Sequence, residues 1–194
     1  MLIETRRRRG LARFGVLLAV ASALAIALTG APANAAALSP GTAKASAAVS
    51  PNDFVGNPTV RFANVNSGLC LAYDPESRGA ARQEGCDNDN TVYWEVASNG
   101  AGQYELIDLH NNQCLSIWGG STADGAETFV YNCQNTADQL FSLVPEFSSY
   151  PGAYELVNLN SGKCVAVGGA RTDYGAWVIQ WTCYPSAEFM WRPY

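Results

Sequence analysis

Apolar and polar residues alternate in three short runs along the chain. Val60, Phe62, Asn64 and Asn66 interleave with Arg61, Ala63 and Val65, and residues 104–109 (YELIDL) and 154–159 (YELVNL) repeat the pattern. A period of two with β-branched and aromatic residues predicts strands. Turn chemistry follows each run: Asn66-Ser67-Gly68, Asn111-Asn112 and Asn160-Ser161-Gly162, all suited to left-handed or hairpin backbone. A second strand is predicted from Cys114 (CLSI) and from Cys164 (CVAV). Gly119-Gly120 and Gly168-Gly169 then break the chain, as do Asp124-Gly125 and Tyr174-Gly175. A third strand covers residues 128–131 and 178–181, and a short fourth one ends at Trp94, Phe141 or Trp191. No window carries the apolar spacing of a long amphipathic helix.

These elements belong to a repeat. Residues 113–141 (QCLSIWGGSTADGAETFVYNCQNTADQLF) return as residues 163–191 (KCVAVGGARTDYGAWVIQWTCYPSAEFMW), and residues 69–94 are a worn copy. In each copy a large aromatic stands eight residues after the second Cys: Trp94, Phe141 and Trp191. Such self-similarity sets the architecture. A unit of about 45 residues does not easily bury a core of its own, so three copies of about four strands are expected to share one. The expectation is an all-β, pseudo-threefold domain whose core holds those three aromatics.

Cysteine usage follows the same period. Six cysteines allow fifteen pairings. Copies that fold alike select Cys70–Cys86, Cys114–Cys133 and Cys164–Cys183, each closing a loop worth about 3 kcal/mol in the chain-entropy model. A zinc site is disfavoured, because there is no CxxC pair and His110 is the only histidine.

The N-terminus reads as an export signal over residues 1–35. Arg6, Arg7, Arg8, Arg9 and Arg13 precede an apolar run over residues 14–28, too short for a membrane span, and Ala33-Asn34-Ala35 matches a cleavage site. An uncleaved anchor is the alternative. Residues 36–58, rich in Ala, Ser, Pro and Gly, read as a flexible tail or linker, and residues 59–194 as the folded domain. After residue 35 the chain carries seven Lys and Arg against sixteen Asp and Glu, a formal charge of −9. That balance argues against binding nucleic acid or an anionic membrane.

Residues 114–141, with their GGSTADGA run, paired Cys and final aromatic, closely resemble the ricin B-type lectin repeat, and the resemblance extends over residues 59–194. It implies a β-trefoil, a six-stranded barrel closed at one end by three hairpins. It also implies up to one shallow sugar site per copy. Such a site takes an Asp two residues after the first Cys, a Gln four before the second Cys, an aromatic two before it, and Asn-Gln ahead of the last aromatic. The chemistry is coherent: the C–H face of a pyranose packs on an aromatic ring, while amides and carboxylates hold its hydroxyls. This chain departs from that pattern. The Asp position holds Ala72, Ser116 and Ala166; the Gln position holds Arg82, Phe129 and Ile179; the aromatic position holds Glu84, Tyr131 and Trp181. The Asn-Gln position holds Thr91-Val92, Asp138-Gln139 and Glu188-Phe189.

The resemblance therefore implies sugar binding by the second and third copies. Tyr131 and Trp181 would be stacking platforms, Asp138, Gln139 and Glu188 hydroxyl partners, and Ser116 a weaker donor. Asp124 and Asp173 are expected to fix their turns, and Trp118 and Trp177 to cover the core. The reading is a secreted, non-catalytic lectin-like protein whose partners are glycans or polysaccharides, with no cofactor or metal. A trefoil that has lost sugar binding and acts as a protein-interaction or inhibitor module is the alternative, since fold alone does not settle function. An enzyme would need an activated nucleophile or a carboxylate pair, and no such pair is marked out.

Overall fold

The computed structural model describes residues 54–87, 91–146 and 148–194. The signal segment and the first part of the predicted tail lie outside them. Among the described residues thirteen strands form one sheet: β1 (Thr59–Val60), β2 (Phe62–Asn64), β3 (Cys70–Tyr73), β4 (Ala81–Glu84), β5 (Trp94–Ser98), β6 (Tyr104–Asp108), β7 (Gln113–Ile117), β8 (Thr128–Tyr131), β9 (Phe141–Glu146), β10 (Ala153–Asn158), β11 (Cys164–Val167), β12 (Val178–Trp181) and β13 (Met190–Pro193). The hydrogen-bonded order β1-β5-β6-β9-β10-β13-β2 closes on itself. Closure follows because β1 and β2 are halves of one strand, and Arg61 between them exchanges both main-chain bonds with Tyr194 at 3.1 Å. The remaining strands make three antiparallel hairpins, β3–β4, β7–β8 and β11–β12. A closed six-stranded barrel with three hairpins across one end is a β-trefoil.

Three cyclic bridges lock the hairpins around the pseudo-threefold axis: Ala80 to Phe129, Glu127 to Ile179, and Trp177 to Arg82. Each links one copy to the next, so no hairpin stands without its neighbours. The barrel is filled by Trp94, Phe141 and Trp191, all fully buried, with Leu71, Leu115 and Val165 beneath them. The two indoles donate to Leu71 O and Val165 O at 2.9 Å each, so neither buried N–H is orphaned. These aromatics open β5, β9 and β13 or lie next to their start, rather than ending a strand as the sequence pattern suggested. The reason is that each ring must sit level with the hairpin that covers it.

The three expected disulfides are present, Cys70–Cys86, Cys114–Cys133 and Cys164–Cys183, with Cα separations of 5.0, 5.0 and 4.9 Å. The core includes Phe54, which lies within the stretch expected to be a tail or linker. Phe54 is buried and meets the rings of Tyr104 and Tyr154 edge-on, at 5.8 and 5.4 Å. Among the described residues no helix is long and apolar enough to cross a membrane.

Candidate functional site

Hairpin register decides which side chains share a face. Cys114 pairs with Tyr131 and Ser116 with Phe129; Cys164 pairs with Trp181 and Ala166 with Ile179; Cys70 pairs with Glu84 and Ala72 with Arg82. Strand alternation places these residues on the outer face of each hairpin and sends Leu115, Val130, Val165 and Val178 into the core. The three positions that the sequence singled out in each copy therefore lie side by side.

In the second copy the Ser116 hydroxyl donates to Asp138 Oδ2 at 2.8 Å. Ser116 is buried beneath this contact, so Asp138 is the member of the pair that faces outward. Tyr131 stands beside them, 48% exposed. Gln139 is different. It is buried, its Nε2 donates to Asn132 O at 2.9 Å, and its Oε1 accepts from Gln134 N at 2.7 Å. Both ends of the amide are spent holding the loop after the disulfide, so Gln139 positions the site and does not face a ligand.

In the third copy Trp181, 45% exposed, lines a cleft of about 470 Å³ with Ala166, Ile179, Tyr184, Glu188 and Phe189. Among the described residues no group bonds the Glu188 carboxylate, although its backbone is held: Asn64 Nδ2 donates to Glu188 O at 2.9 Å. Asn158 does the same for Asp138, donating to its carbonyl at 2.9 Å. Buried amides from neighbouring copies thus fix the backbone that carries both outward carboxylates.

The first copy's face is filled. Arg82 is buried, lies over the Trp177 ring, donates to Ser77 Oγ at 3.3 Å and sits 3.6 Å from Asp74. Burial pushes the Arg82 guanidinium down from its usual range, and Asp74 opposes this. Burial, reinforced by the charge of Asp74, raises the Glu84 carboxyl that occupies the platform position.

Each platform is bordered by a loop of the preceding copy, an arrangement that the sequence did not disclose. Residues 121–125 lie against Trp181, where a Cβ on Gly125 would be 3.6 Å from the indole. Buried Gln180 pins that loop, donating to Ser121 O at 2.7 Å and Ala123 O at 3.0 Å while accepting from Ser161 Oγ at 2.7 Å. Gln83 serves residues 171–173 in the same way, with Ser67 as its donor. The available signal was a Gln three residues before the second Cys, matched by a Ser in the Asn-Ser-Gly turn. Asp124 does more than fix its own turn. It accepts from Lys163 Nζ and Thr182 N, both at 2.7 Å, and the Lys163 hydrogen bond holds its carboxyl below the usual range. Asp173 pairs with Arg171 inside its own loop.

Trp118 and Trp177 do not cover the core. They are 58% and 37% exposed. The one described cluster with metal-ligating residue types is Glu105 with Cys114 and Cys133, and its two sulfurs are bonded to each other.

A threefold barrel whose hairpins present open aromatic and carboxylate faces defines a trefoil of the lectin type. The chain belongs to the ricin-type β-trefoil lectin domain-like family, whose sequence profile matches residues 52–131, 92–181 and 137–193. Sequence comparison with curated proteins gives no significant match. Among solved structures, a designed threefold-symmetric protein, ThreeFoil, is similar at 28% identity and TM-score 0.65, over 70% of this chain and 96% of that one. A ricin B-like lectin of Macrolepiota procera in complex with lactose shares the fold at 16% identity and TM-score 0.63, over 71% of this chain and 94% of that one. An exo-β-1,3-galactanase of Clostridium thermocellum shares it at 18% identity and TM-score 0.65, over 70% of this chain but only 29% of that one.

Proposed function

We propose that this protein is a secreted, non-catalytic carbohydrate-binding protein that works through the second and third copies. The observation that carries the reading is the pair Tyr131 and Trp181. Both rings stand half-exposed at the same register, opposite the first Cys of their hairpins, and each lines a cleft. A pyranose stacks its C–H face on each ring. Asp138, oriented by Ser116 and Asn158, accepts hydroxyl hydrogens in one site, and Glu188, held by Asn64, does so in the other. Gln139 keeps the second site's loop in place. The lactose-bound Macrolepiota procera lectin on the same fold supports the ligand class. The three disulfides and the export-like N-terminus support secretion. The open faces favour weak single-site binding, with avidity from two sites.

The test is a glycan and polysaccharide panel probed with the wild type, Tyr131→Ala and Trp181→Ala, with unfolding curves for all three. Each substitution is expected to weaken binding about tenfold or more while the unfolding midpoint stays close to wild type. A wild type that binds no sugar on the panel sinks the reading.

A further inference from the structure

The groove beside Tyr131 lies between the first and second copies and continues past it to the third. One cleft of about 610 Å³ is lined by Tyr73, Pro75 and Arg78 on one side and by Trp118, Phe129 and Tyr131 on the other. A second, of about 260 Å³, shares Arg78, Trp118 and Phe129 with the first and runs on to Glu127 and Trp177. The Trp118 ring meets Phe129 edge-on at 4.9 Å, and Phe129 is 6.0 Å from Tyr131. Exposed indoles clustered along one wall are unusual for a soluble surface unless something covers them.

Arg78 is an independent pointer to the same groove. Its backbone is left-handed, at φ 56°, and the equivalent residues of the other copies are glycines, Gly125 and Gly175, at φ 80° and 72°. That conformation costs energy for a residue with a Cβ, and glycine would adopt it more readily. Among the described residues the Arg78 guanidinium has no hydrogen bond or ion pair. A strained backbone thus holds an unpaired fork of donors where the two clefts join. The chain's excess of acidic residues disfavours a polyanion, and a guanidinium can instead donate to neighbouring hydroxyl oxygens, with exposed Glu127 as an acceptor.

We propose that this groove takes a segment of an unbranched neutral polysaccharide, with one sugar unit against each of Tyr131, Trp118 and Trp177 and Arg78 bonding hydroxyls between them. The proposal rests on the carbohydrate-binding reading and extends the second-copy site across the boundary between copies.

Calorimetric titration with neutral gluco- and galacto-oligosaccharides, from monosaccharide to hexasaccharide, tests it. Wild-type affinity is expected to rise with length. Trp118→Ala removes about tenfold of the hexasaccharide affinity and leaves monosaccharide affinity unchanged. Arg78→Gly is expected to raise the melting temperature by relieving the backbone while weakening hexasaccharide binding, a combination that a purely structural residue does not produce. Affinity that stays flat with length, or a Trp118→Ala protein that binds the hexasaccharide like wild type, overturns the groove while carbohydrate binding stands. Absence of binding to every sugar overturns both.

Discussion

At the scale of single residues, threefold symmetry singles out Asp108. Asn64, Asp108 and Asn158 are equivalent and buried, and in each the side-chain oxygen accepts from the following turn. The two amides also donate to carbonyls of the adjacent copy. A carboxylate cannot do this, and among the described residues Asp108 Oδ1 has no partner. Burial raises the Asp108 carboxyl to about 6 from 3.8. A folded-state value above the unfolded one means the group favours folding at low pH and loses that contribution as pH rises through about 6. At 1.36 kcal/mol per unit, the loss by neutral pH is about 3 kcal/mol. Asp108→Asn supplies the missing donor and does not titrate. Its unfolding free energy, measured in urea, is expected to match wild type near pH 4 and to exceed it increasingly up to pH 7.5. A difference that does not change with pH would falsify this account. The first copy, whose face is filled, is the one that lacks the amide clamp; the two copies with open faces keep it.

At the scale of elements, the hairpin is held from both sides. Its strands pair locally, but the loop bordering its platform comes from the preceding copy and is pinned by one buried Gln. Gln180→Ala removes three hydrogen bonds and strands the carbonyls of Ser121 and Ala123. The expected cost is about 1–3 kcal/mol in chemical denaturation. Sugar affinity should fall at the Trp181 site and persist at the Tyr131 site, which a titration in the Tyr131→Ala and Trp181→Ala backgrounds separates. This layer also marks where sequence reading stops. Period-two runs and turn residues placed β8 and β12 at their observed bounds, because those signals are local. The repeat gave the disulfides, because symmetry removes alternatives. That Gln139 is spent inside its loop and that Trp118 lies open depend on packing between segments far apart in the chain, and no local pattern encodes it. Arg82 shows the same limit: its place over Trp177 is a contact between the first and third copies.

At the scale of the whole molecule, the barrel has two ends with different solutions. The hairpins close one end through their cyclic bridges. At the other, Tyr104 and Tyr154 stand at equivalent positions near the strand starts, but the first copy has Val60 there, too small to complete the ring. Phe54, six residues upstream, supplies the missing aromatic by packing edge-on against both tyrosines. The Ala- and Ser-rich stretch thus ends in a core residue, and the symmetry of the barrel is restored by a side chain from outside the repeat. Phe54→Ala is expected to cost about 3–5 kcal/mol, the usual range for emptying a buried aromatic site, and a chain starting at Thr59 should lose at least as much. Adding Val60→Tyr to Phe54→Ala should recover part of the loss, because it puts the third ring back in its symmetric place. Urea unfolding of the three variants beside wild type decides the matter. Equal stability of Phe54→Ala and wild type would mean that the barrel end is closed without the arm, and that folding begins at Thr59 after all.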